Sequence, residues 1–271
     1  MNERQRGALF FVGCAMGLSW SYWGVLLALG LRVETAGGVG HPWVTHLPGL
    51  LGPALAAVIT ARRYGGPGAG AAFLRRVWTL WPRPAWRGWV LALSPLLAGV
   101  VLWGAWGLAG QPLPMAPAFW HFPGLPASWG PCWVVLAVVV VNGLGEELGW
   151  RGYLTETLLQ DCSRWFTTCC VAGAWMLWHL PLFWLNESMQ ALVGPMLMGW
   201  ALGLACGAFV LAQLYLWTGR SVAVVALWHA AYNLVVATEA GRGTVAAVLS
   251  SGVMVWGCVT AFRWWRQRQV Q

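Results

Sequence analysis

Apolar residues fall in eight runs separated by short polar or Pro/Gly-rich connections. The runs cover roughly residues 7–31, 43–61, 88–109, 130–150, 165–185, 191–217, 221–238 and 243–263. Each approaches the ~20 apolar residues that a helix needs to cross a hydrocarbon layer. A helix satisfies its own backbone hydrogen bonds, as lipid demands. The alternation of period two that marks a membrane β-barrel is sparse. The pattern predicts an all-α, polytopic transmembrane bundle of about eight helices. No repeat or interdomain linker divides the chain, so residues 1–271 read as a single domain. The stretch "YGGPGAGAA" predicts a flexible loop, and "RRVWTLWPRPAWRGW" a segment lying along the membrane surface.

Composition strengthens this picture. Hydrophobic residues make up 59% of the chain and charged residues 9%, against about 25% charged in soluble domains. All 16 basic residues are Arg. If the N-terminus faces the cytoplasm, 14 of these 16 fall in cytoplasmic connections or tails, which is the bias expected of such loops. This predicts a multi-pass protein of the cell membrane with both termini cytoplasmic. The net charge of +8 then reflects contact with anionic lipid rather than nucleic acid, for which no motif is present. The seven Cys form no CxxC pair and read as small packing residues. "FFVGCAMG" stands inside an apolar run that continues to Leu31 and reads as part of a first helix.

Against so apolar a background the polar groups stand out. "NGLGEELGWRG" places Glu146, Glu147 and Arg151 at the end of the fourth run. Glu147 and Arg151 are spaced i, i+4 and share a helix face. Arg151 can neutralise Glu147 and leave Glu146 free for another task. Gly145 and Gly149 form a small-xxx-small pattern that lets another helix come close. "AWMLWHLPL" places His179 one turn after Trp175 in the fifth run, and "ALWHAAYNL" sets His229 and Asn233 on one face of the seventh. Ionisable groups inside a membrane are costly and usually functional. His41, His46 and His121 lie in connections and read as ordinary loop residues. One geometric demand follows. His179 lies roughly 22 Å into its helix at 1.5 Å per residue, so for the two to meet either the helix of Glu146 runs past Arg151 toward Leu159, which the helix-compatible "RGYLTETLLQ" leads us to expect, or the helix of His179 starts early and tilts.

These three sites resemble the CPBP family of CAAX proteases and bacteriocin-processing enzymes, also called Abi. Its pattern is EExxxR, FxxxH and HxxxN. Here the motifs are Glu146-Glu147-x-x-x-Arg151, Trp175-x-x-x-His179 and His229-x-x-x-Asn233, with Trp in place of Phe at 175. "GLLGPALAA" at 49–57 resembles an early helix of the same family. The resemblance implies an intramembrane glutamate-dependent endopeptidase with its active site between helices 4, 5 and 7. Glu146 would be the base that activates water and His179 would help hold that water. His229 and Asn233 would stabilise the oxyanion, with Glu147, Arg151 and Trp175 in support. It implies no metal and no cofactor, a peptide or protein substrate at the membrane and the lipid bilayer as surroundings; oligomeric state is open. Peptide hydrolysis needs such a base and such donors. From the residues alone, three alternatives remain. Glu and two His could hold Zn²⁺, though HExxH is absent. The fold could serve as a non-catalytic immunity protein or scaffold. The polar groups could relay protons in a transporter.

Overall fold

The runs fold as helices, and the ends of those helices decide where the polar groups meet. The computed structural model describes residues 2–33, 44–79 and 81–268; His41 lies outside these. Of the described residues, 78% are helical, and among them no strand forms beyond a single bridge between Val33 and Asn186. The helices are α1 (Glu3–Ala28), α2 (Leu47–Leu50), α3 (Gly52–Gly65), α4 (Ala69–Thr79) and α5 (Ala85–Leu108). Then come α6 (Pro131–Leu158), α7 (Arg164–Trp178), α8 (Leu182–Leu185), α9 (Glu187–Gln190), α10 (Pro195–Trp217), α11 (Val222–Val236) and α12 (Thr244–Arg268).

Among the described residues, six of the eight expected spans are long and apolar enough to cross a membrane: α1, α5, α6, α7 continued through α8, α10 and α12. The other two are shorter. The run at 43–61 divides into α2 and α3, each with a Pro in its first two positions, because Pro is suited to begin a helix and not to continue one. The run at 221–238 becomes the 15-residue α11. Its Val224, Val225, Ala226, Trp228, His229, Ala230 and Val235 are all buried, so it packs against protein where a lipid-facing span would need more length. One loop expectation fails. Residues 69–72 of "YGGPGAGAA" begin α4, whose alanines favour helix.

Large apolar side chains coat the outside of the long helices; Leu9, Val100 and Val255 are each more than half exposed. Lipid is the solvent that makes this favourable. Inside, tryptophans staple the elements together. Trp23 Nε1 donates to the His46 carbonyl (2.9 Å), and Trp178 Nε1 donates to Ser19 Oγ (2.7 Å). Ser19 Oγ in turn donates to the Gly49 carbonyl (2.7 Å). Together these tie α1 to α2 and α7.

The small residues of α6 work as expected, with one addition. A methyl group at Gly149 would stand 2.5 Å from Pro53 Cβ and 2.7 Å from its carbonyl oxygen, and one at Gly143 would stand 2.6 Å from the Ala226 carbonyl oxygen. Helix α6 is therefore pressed against α3 on one side and α11 on the other. Gly149→Ala is expected to destabilise the protein by about 1–3 kcal/mol, the usual cost of overpacking. Thermal melting in detergent checks this, and an unchanged midpoint would contradict the close approach.

Candidate active site

Helix α6 carries the first group of polar residues through an irregular stretch. Wide π-helical turns span Val138–Leu144 and Leu148–Thr155, with Gly145–Glu147 between them. Such turns recur at functional sites. Glu146, Glu147 and Arg151 are all buried. Arg151 Nη1 donates to Glu147 Oε1 at 2.8 Å, the i, i+4 pair read from the sequence. The same carboxylate oxygen meets His229 Nδ1 at 2.8 Å, a partnership that the sequence did not reveal. Only one oxygen of the carboxylate is used. Glu147 Oε2 and Arg151 Nε and Nη2 are buried without partners.

Glu146 is held differently. Its Oε2 accepts from Trp175 Nε1 at 2.7 Å. The indole thus does more than underlie the imidazole of His179, whose ring centroid is 5.7 Å away. It also bridges the clusters, since Arg151 Cζ lies 4.8 Å from the Trp175 ring centroid and the His229 ring lies at 5.6 Å. Phe could supply the ring contacts but not the N–H. Trp175→Phe is expected to leave the fold intact and to change turnover by about tenfold or less, one hydrogen bond to a charged group being worth about 1.5–3 kcal/mol before water replaces it. Complete loss of turnover in that variant would make the indole N–H essential.

His179 sits at the end of α7, and its Nδ1 lies 2.7 Å from the Trp175 carbonyl oxygen. A carbonyl oxygen can only accept, so Nδ1 carries the hydrogen. In the neutral ring this leaves Nε2 as a lone-pair acceptor. The depth requirement is met because α6 runs to Leu158. Glu146 then stands roughly 18 Å and His179 roughly 22 Å from the adjoining helix ends, at 1.5 Å per residue.

A cavity of about 400 Å³ joins the groups. Glu146, Trp175, His179, His229 and Asn233 all line it. Glu147 and Arg151 do not line it and stand behind, where they fix His229. Further polar residues that sequence reading had left aside also line the cavity, Asn142 and His46 among them. Asn142, inside the run "VVVVNG", was legible as a polar break one turn before Glu146. His46, read as an ordinary loop residue, is buried against the same cavity, and nothing in its local sequence signalled this. His121 does remain in a connection, where Nδ1 lies 3.0 Å from Glu239 Oε2. Among the described residues, no group of three or more His, Cys, Asp or Glu side chains has a geometry that could hold a metal ion.

Comparison with known proteins follows the same residues. A family model described as type II CAAX prenyl endopeptidase Rce1-like matches residues 126–235. This segment of the chain is similar to that family. The Rce1-like segment includes Glu146, Glu147, Arg151, Trp175, His179, His229 and Asn233. A curated relative, CAAX prenyl protease 2 of Methanococcus maripaludis, is 38% identical over 56 residues. That alignment spans 21% of this chain and 21% of the relative, about a fifth of its length.

Proposed function

We propose that this protein is an intramembrane endopeptidase that hydrolyses a peptide bond with water activated by Glu146 and His179. The observation that carries the reading is the meeting of Glu146, His179, His229 and Asn233 on one cavity within an apolar bundle. Water held between the Glu146 carboxylate and His179 Nε2 gives a proton to Glu146, and its oxygen attacks the carbonyl carbon. His229 and Asn233 donate to the oxyanion that forms. Collapse of this intermediate breaks the C–N bond, and Glu146 returns its proton to the leaving amine. Glu147 accepts from His229 Nδ1–H and so turns the other ring nitrogen toward the cavity. With Arg151 and a protonated His229 balancing two carboxylates, the buried cluster carries no net charge, which favours burial.

The substrate in this reading is a peptide or protein segment at the membrane. The name of the Methanococcus maripaludis relative makes prenylated CAAX tails the first to try. We place both termini and the Arg-rich segment 62–87 on the cytoplasmic side, following the Arg distribution. The decisive experiment compares the proteomes of membranes holding wild type and Glu146→Gln. Uncleaved precursors should accumulate only with the variant. Identical proteomes, with full biological activity of Glu146→Gln, would instead support a scaffold. Turnover is expected to survive strong chelation; loss that is restored by Zn²⁺ would bring the metal-dependent route forward.

A further inference from the structure

Asn142 projects from α6 one turn toward Pro131 from Glu146, as Asn233 lies one turn along α11 from His229. It lines the same cavity and is 7% exposed, yet its Oδ1 is buried with no hydrogen-bond partner. A buried polar atom left unpaired costs about 1–3 kcal/mol, and such atoms in native structures call for a reason. The residue cannot readily turn away. The next position, Gly143, lies against the Ala226 carbonyl, so the helix is pinned to α11 at this turn. Much of the cavity wall is apolar, including Leu204, Leu211 and Met254.

The chemistry of the orphan selects its partner. A carboxamide presents a donor and an acceptor side by side. A peptide group presents one of each as well, so the two match whichever way the amide is turned. A purely anionic or purely cationic ligand would match only half of it. We propose that Asn142 binds the substrate main chain, at a peptide group next to the bond that is hydrolysed. This rests on the endopeptidase reading. The residue sets the register of the peptide over Glu146 and takes no part in proton transfer.

The test uses the full-length protein in detergent and quenched peptides with prenylated and unprenylated CAAX tails. Each peptide is also made with one N-methyl group at each amide nitrogen flanking the cleaved bond. Asn142→Leu, of similar size, is expected to raise KM about tenfold with kcat within about twofold, a loss typical of one buried hydrogen bond. Wild type should lose a similar factor on one of the N-methylated peptides, and Asn142→Leu should lose nothing further on that peptide. Melting is measured in parallel, and Asn142→Ala repeats the comparison should the Leu variant fold poorly. A folded variant with wild-type KM, or losses that multiply independently at every methylated position, overturns the assignment of Asn142 alone. If Glu146→Gln cuts the peptides as well as wild type does, the endopeptidase reading falls and this assignment with it.

Discussion

Glu146→Gln is expected to lower kcat by about 10³-fold or more while the protein stays folded, since general-base catalysis typically contributes about 10²–10⁴-fold. Gln keeps the length of Glu, and its carbonyl oxygen can still accept from the Trp175 N–H now bonded to the carboxylate. It cannot take a proton from water. The substitution also leaves Glu147 bonded to Arg151 and His229, so the scaffold behind the cavity is untouched. Peptide hydrolysis and thermal melting of the same preparation separate the two effects. Wild-type turnover in the variant would remove Glu146 from the chemistry. Glu147→Gln makes the contrast. It weakens the anchor shared by two cations, so melting should fall together with activity.

Arg151→Ala is expected to cost about 3–5 kcal/mol of stability, the penalty for leaving a buried charge without its partner. Arg151 and Glu147 are both fully buried. Glu147 Oε2 already lacks a partner, so removing the guanidinium strands the carboxylate on His229 alone. The variant should give low yields in detergent and melt roughly 10 °C below wild type. A double variant, Glu147→Gln with Arg151→Met, removes both charges and is expected to regain much of the loss, as buried ion pairs often tolerate joint replacement by neutral groups. A singly substituted protein with normal yield and melting would show that the pair does not hold the fold.

The sequence disclosed these features unevenly, for physical reasons. Apolar run length reports transfer into lipid, so it located the helices; it could not separate a crossing helix from one sheltered by its neighbours, and α3 and α11 were read as longer than they are. Local spacing reports which side chains share a helix face, and the Glu147–Arg151 pair followed from it directly. The bonds from Glu147 to His229 and from Glu146 to Trp175 join residues 82 and 29 positions apart. They depend on the relative depth of separate helices, which no local pattern encodes. Depth was accessible only as a requirement, that α6 continue beyond Arg151 or α7 start early and tilt. Asn142 had a signal that was passed over, a polar residue on the same face as Glu146. His46 is buried where Trp23 bonds its carbonyl and Gly124 lies against its ring, contacts between segments far apart in sequence of which the local pattern carried no sign.

The wide turns flanking Glu146 and Glu147 can absorb a change in residue count that the ordinary α turns of α6 cannot. Deleting one position from 135–137, in the ordinary α turns before the wide ones, would rotate the half nearer Pro131 by roughly 100°. Val134, now packed with Phe122 and Ala230, would swing toward lipid although no side chain beyond the deletion had altered. Exchanging one aliphatic residue for another in these ordinary turns should therefore be far better tolerated than adding or dropping a single residue.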